Sequence, residues 1–119
     1  MKNEQLKELE RQLPSCGTLK GVKISYAIAR NIGKIAKEVE YFTKEVEKLQ
    51  LAHTKMKDGK PVMKGNEFQM KDLTKFSEEY EHLLNIEIKL DLHKIKLADV
   101  PQDITTQQMT AILPFVTET

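Results

Sequence analysis

Ile28-Ala29-Arg30-Asn31-Ile32-Gly33-Lys34-Ile35-Ala36-Lys37-Glu38-Val39-Glu40-Tyr41-Phe42-Thr43-Lys44-Glu45-Val46-Glu47-Lys48-Leu49 decides the fold. Its apolar members, Ile28, Ile32, Ile35, Val39, Phe42, Val46 and Leu49, alternate spacings of four and three. An average near 3.5 puts them on one stripe of a helix, where each can seat between side chains of a facing helix. The stripe stays in register through His53 and Met56. Ser25 stands where an N-cap is wanted, so the spacing predicts a helix over 25–56, about 31 residues and roughly 46 Å long.

The flanking sequence supplies the partners. Residues 3–13 read as a short helix, with Asn3 as its cap, Leu6, Leu9 and Leu13 as its stripe and Pro14 as its stop. Residues 18–24 read as a short strand with Val22 and Ile24 on one face. Turn signals at Asp58-Gly59 and Gly65-Asn66 leave Val62 and Phe68 to anchor a small hairpin. Asp72 caps a second helix over 72–85, with Leu73, Phe76, Tyr80, Leu83 and Leu84 as its stripe. Ile86, Ile88, Leu90 and Leu92 alternate strictly with polar residues, which predicts a strand. The phase slips at His93-Lys94, because Ile95 and Leu97 are odd-numbered. A bulge or corner there would keep both sets on one core. Thr105-Thr106-Gln107-Gln108 fits a capping box and Ile104/Met109 a hydrophobic staple, so a last short helix covers 106–113 and ends at Pro114.

The expected fold is therefore α+β and mostly helical, a single domain over 1–119. A long heptad helix packs antiparallel on a shorter one, with a small antiparallel sheet or hairpin and short terminal helices. The second helix, roughly 21 Å long, covers less than half of the first. The rest of the stripe must meet the terminal helices or another copy of the chain, so a homo-oligomer, a helical bundle or coiled coil, is one expectation.

Composition narrows the function classes. The chain has 119 residues, 39% hydrophobic and 31% charged, and one cysteine, Cys16, so no internal disulfide is possible. No apolar run approaches the ~20 residues of a membrane span. The start, Met1-Lys2-Asn3-Glu4-Gln5, lacks the apolar core of a signal peptide. A cytoplasmic protein without membrane association is the expectation. His53, His82 and His93 show no metal-ligand spacing, no glycine-rich phosphate loop is present, and the carboxylates fall in helical charge runs. No catalytic residue, metal or cofactor is expected, and the protein reads as non-enzymatic.

The net charge of +1 hides a gradient. Arg11, Lys20, Lys23, Arg30, Lys34 and Lys37 occur with no acid between Arg11 and Lys37. Arg30, Lys34, Lys37, Tyr41, Lys44 and Lys48 repeat the stripe's spacing two residues out of phase, about 200° around the helix at ~100° per residue. Lys44 and Lys48 have acids within reach and read as a solvated face. Arg30 and Lys34 lie near a helix start, where the macrodipole disfavours cations. Lys20, Lys23, Tyr26, Arg30, Lys34 and Lys37 are thus the candidate anion-binding residues. Arg30 would clamp phosphate, the lysines would add charge, and Tyr26 would stack on a base.

Two stretches resemble a known family. Val22-Lys-Ile-Ser-Tyr-Ala-Ile-Ala-Arg-Asn31, and Ile86-Glu-Ile-Lys-Leu-Asp-Leu-His-Lys-Ile-Lys-Leu-Ala-Asp99 followed by Ile104-Thr-Thr, are similar to an uncharacterised family of small tailed-bacteriophage and prophage proteins. The resemblance implies a viral origin, hence the host cell cytoplasm, and transfers no catalytic residue. Three expectations follow for function. The first is a phage-type accessory binding protein, an oligomeric sponge that sequesters a phosphate-bearing nucleotide signal of anti-phage defence. The second is a structural or assembly protein that uses the helical seam against a protein partner. The third is a nucleic-acid-binding regulator.

Overall fold

The computed structural model describes residues 1–118. Its element order is α1 (Asn3–Gln12), a 3-10 turn (Leu13–Thr18), α2 (Val22–His53), two hairpins of β1 (Met56–Lys57) with β2 (Lys60–Pro61) and β3 (Met63–Lys64) with β4 (Glu67–Phe68), α3 (Leu73–Leu84), β5 (Ile95–Lys96), α4 (Thr106–Ile112) and β6 (Val116–Thr117). The fold is mostly helical, as expected, with the long helix packed on shorter ones and small two-stranded sheets beside them. No helix among the described residues is long and apolar enough to cross a membrane.

α2 has 32 residues, about 48 Å at 1.5 Å per residue, in a molecule 59 Å long. It begins three residues before the expected cap. The strand expected over 18–24 is absent: Leu13–Thr18 forms a Pro14-led 3-10 turn, and Gly21 is the N-cap, at φ 131°. That backbone conformation strains any residue with a Cβ. The Ser25 N–H therefore donates to the Gly21 carbonyl at 3.0 Å as part of the first helical turn. Val22 and Ile24, expected on one strand face, are 88% and 0% exposed.

The heptad stripe is buried along one line and split along the other. Ile28, Ile35 and Phe42, seven apart, are buried, and Val39, Val46 and Leu49 are half-buried. Ile32 is 43% exposed, and Asn31 goes inside in its place. A straight helix turns once per 3.6 residues, so a strict 3.5 pattern drifts by about 20° per heptad. Burial centres on the Asn31 side of the stripe, and Ile32, about 100° further round the helix, lies past the edge of the contact.

The core sits around the first half of α2. Leu6, Leu9 and Leu13 from α1, Cys16 from the 3-10 turn, Ile24, Ala27, Ile28 and Ile35 from α2, and Ala111, Ile112 and Phe115 from the C-terminal turns form one cluster. The terminal helices thus meet much of the stripe that the short α3 leaves. Asn3 is the first residue of α1 rather than its cap. It is buried, and its Nδ2 donates to the Leu83 carbonyl at 2.9 Å, tying α1 to the end of α3.

Residues 86–94 are extended, but the strand expected over 86–92 belongs to no ladder. Its strand-like backbone pairing is a single bridge, Lys2 with Glu87, with two hydrogen bonds, from the Asn3 N–H to the Ile86 carbonyl and from the Ile88 N–H to the Met1 carbonyl. Alternation reports which residues are half-buried, and it holds from Ile88 onward: Ile88 and Leu90 pack on the core and Leu92 is buried, whereas Ile86 is 50% exposed. It does not report a hydrogen-bond partner. The phase slip is real, since Leu92 and Ile95 are both buried three residues apart. It is held by α2. Asn31, fully buried, donates from Nδ2 to the His93 carbonyl at 3.1 Å and accepts from the His93 N–H at Oδ1, 2.7 Å. Ile95–Lys96 then pairs in parallel with Val116–Thr117. Leu97 is not drawn in with Ile95: it starts a 3-10 turn and is 45% exposed.

Two of the four expected caps form; Asn3 and Ser25 lie inside their helices. Asp72 accepts from the Lys75 N–H at 3.2 Å, and Thr105 and Gln108 satisfy each other's N–H groups at 3.1 Å. Between α2 and α3, Met56-Lys57, Met63-Lys64 and Met70-Lys71 recur every seven residues. The first two open hairpins, Met56–Lys57 with Lys60–Pro61 and Met63–Lys64 with Glu67–Phe68. Asp58 and Gly59, at φ 52° and 75°, make the primed turn that a two-residue hairpin favours. Where the hairpins meet, three backbone bonds close a ring. The Lys55 N–H donates to Gln69, Val62 to Lys55, and Gln69 to Val62, at 2.7–2.9 Å.

Replacing Asn31 by alanine removes the partners of the His93 N–H and carbonyl in a part-buried contact. The expected loss is about 1–3 kcal/mol, read as a lower urea midpoint at unchanged m-value. Thr105→Ala removes one side of the α4 capping box and costs about 1 kcal/mol.

Candidate anion-binding surface

Starting α2 at Val22 places Lys23 and Tyr26 in its first turns, facing the segment that Asn31 fixes. The two sides enclose a concavity of about 410 Å³ lined by Val22, Lys23, Tyr26, His93, Lys94, Ile95, Lys96 and Asp99. The rings of Tyr26 and His93 meet edge to face, with centroids 5.3 Å apart and planes at 79°. The Arg30 guanidinium lies over the other part of this pair, 5.9 Å from the Tyr26 centroid. Tyr26 remains 54% exposed, so part of its ring is accessible beside Arg30 and His93. Lys23 Nζ stands 3.6 Å from Asp99 Oδ1, an exposed ammonium against a half-buried carboxylate. Such a pair is worth little in water. An incoming anion therefore competes with one carboxylate for three lysines.

The six residues singled out by charge divide. Lys23 and Tyr26 line the concavity and Arg30 adjoins it. Lys34 does not point there: its Nζ donates to the Asp91 carbonyl at 2.5 Å, supporting the extended segment. Lys37 is exposed one turn further along. Lys20 lies at another concavity, with Pro101, Asp103, Thr105 and Gln108, because the backbone turns at Gly21. The expected solvated pairs form at Lys44–Glu40 (3.3 Å) and Lys48–Glu45 (3.1 Å).

His93, Lys94 and Lys96 were not among the sequence candidates. They come from a segment some seventy residues further along the chain, and no local spacing links them to Lys23. The alternation of Lys94 and Lys96 about Ile95 was the available signal. It places both lysines opposite a buried residue, and hence outward.

The remaining chemistry is quieter. Among the described residues no group of three His, Cys, Asp or Glu is arranged to hold a metal ion. Cys16 is buried, and burial pushes its thiol above the ordinary range, a hydrogen bond from Ser15 offsetting part of this. Its Sγ faces the Gln108 carbonyl at 3.6 Å. His53 closes the far end of α2, its Nε2 2.6 Å from Glu79 Oε2.

The chain matches no protein-family model, no curated protein and no solved structure.

Cys16 should resist thiol reagents in the folded protein and react at the rate at which the chain opens, as followed with a chromogenic disulfide. The sign of its linkage follows from the raised value. The thiol's contribution is fully present below the ordinary cysteine range and is lost as pH rises through the folded-state value, because the unfolded chain releases the proton first. Cys16→Ala should flatten that alkaline fall in urea midpoint.

Proposed function

We propose that this chain is a non-enzymatic accessory binding protein that holds a phosphate-bearing ligand, a nucleotide above all, in the concavity between the start of α2 and residues 93–96. The observation that carries the reading is the convergence of Lys23, Lys94 and Lys96 beside the Tyr26–His93 ring pair, with Arg30 adjoining. Clustered cations supply attraction for phosphate, and a partly accessible aromatic ring supplies a sequence-tolerant platform for a base. Arg30 can add a bidentate contact by leaving the Tyr26 ring. The first turn of α2 contains no acid, so its N–H groups and dipole add to the same field. The resemblance to tailed-phage proteins points to the host cytoplasm as the setting and to nucleotide signals of antiviral defence as the target class. Sequestration requires binding alone, which is what this surface offers.

Thermal melting tests the reading. A cyclic dinucleotide, a cyclic mononucleotide and a nucleoside triphosphate are each added over a concentration series, with inorganic phosphate as a reference. A bound ligand at 100 times its Kd stabilises by about 2.7 kcal/mol, a shift of several degrees for a chain of this size. Arg30→Ala and Lys94→Ala should each remove most of the shift, while Lys37→Ala should leave it. No shift with any nucleotide sinks the proposal. Recovery of the protein in purified virions favours the assembly role instead, and a steep salt dependence on mixed-sequence DNA favours the nucleic-acid role.

A further inference from the structure

The opposite end of α2 carries a different open surface. α3 packs on α2 through Phe76, Tyr80 and Leu83, and α1 reaches it at Lys7–Tyr80 and Asn3–Leu83. Yet none of the twelve described residues of α3 is buried. A three-turn amphipathic helix in a finished domain buries its apolar stripe. Here the layer is two helices thick and stops. Between α2 and α3 runs a groove of about 470 Å³, lined by Leu49, Ala52, Leu83 and Ile86 together with Glu45, Lys48, Glu79 and His82.

We propose that this groove is a homodimer interface, in which a second copy lays its own α2–α3 pair across it to complete a four-helix bundle. Charge order selects the occupant. Along α2 an acid precedes a base by three residues, Glu45 then Lys48; along α3 the order is the same, Glu79 then His82. The two helices run in opposite directions, so in space the orders are reversed. A two-fold axis along the groove sets each α2 antiparallel on the partner's α3. Lys48, 3.1 Å from Glu45 in the protomer, then approaches the partner's Glu79, itself 2.6 Å from its own His53, and Glu45 approaches the partner's His82. Every neighbouring pair in the resulting bundle is antiparallel, the arrangement that short-loop bundles adopt. The small side chain of Ala52 lets the helices approach, and Leu49 and Leu83 supply knobs for the facing holes. A surface carrying both signs in this order is self-complementary, whereas a purely acidic partner meets repulsion at Glu45 and Glu79. The interface lies far from the anion-binding concavity and stands or falls separately.

The test is the mass of the full chain by sedimentation equilibrium from about 1 to about 200 µM, the range of ordinary homodimer affinities. The expected mass is twice the 13.7 kDa of the chain. Ala52 is exposed in the protomer, and arginine is a good helix former. Ala52→Arg should therefore keep the circular dichroism spectrum and raise the dissociation constant at least about tenfold. Lys48→Glu should weaken association, and Lys48→Glu with Glu79→Lys should restore it. A 13.7 kDa mass throughout the range overturns the proposal. So does a dimer that neither Ala52→Arg nor Lys48→Glu affects, which places the contact elsewhere.

Discussion

The paired hydrogen bonds between the Asn31 side chain and the backbone of His93 hold the two halves of the chain in register. A primary amide presents one donor and one acceptor side by side, the same pair that a neighbouring strand offers. At residue 93 the extended segment has changed phase, and a regular ladder could not follow it. The amide substitutes for one rung of sheet inside the core, where unpaired groups are expensive. Because that rung is fixed, Leu92 and Ile95 both enter the hydrophobic cluster, and β5 reaches the C-terminal segment. The same rung sets the His93 ring against Tyr26. Stability and the candidate site thus share one buried polar residue.

Packing is unevenly distributed about this point. Toward the start of α2 it is enclosed by both chain termini. Beyond Phe42 it has α3 and little else. The helices were legible because each announces itself locally: a 3.6-type stripe, Asp72 and Thr105 as caps, Pro14 and Pro114 as stops. What failed were readings that needed to know the neighbour. Val22 and Ile24 look like strand residues, but burial of Ile24, Ala27 and Ile28 on one face outweighs β propensity, and Gly21, inside the expected strand, is the helix cap. Ile86 to Leu92 has the alternation of a strand without a sheet to join. Ile32 has the spacing of a core residue, and lost its place to an asparagine whose value lies in hydrogen bonds that no hydropathy pattern encodes.

The candidate surface was half visible for the same reason. Lys23, Tyr26 and Arg30 stood out because like charges near a helix start, with no acid among them, are locally unfavourable. Lys34 stood out on the same grounds, yet its charge rests on a backbone carbonyl from a segment 57 residues away. His93 and Lys94 mark only the phase slip, which signals a corner and no ligand, and Lys96 carries no local anomaly. Their relevance arises only when the chain folds back and sets them beside Tyr26.

The ring of three hydrogen bonds between the hairpins has a consequence for how this chain tolerates change in length. Each hairpin unit leaves from the ring and returns to it after seven residues. If residues 63–69 were excised, Val62 would inherit the position of Gln69. The Lys55 N–H would then face the Val62 carbonyl, and the Val62 N–H already faces that of Lys55. The three-way junction would collapse into an ordinary antiparallel rung, with the stem that joins α2 to α3 unaltered. Length here is quantised: whole heptapeptides can come and go at the tip while the helices beneath keep their register, whereas losing one or two residues would break the ring.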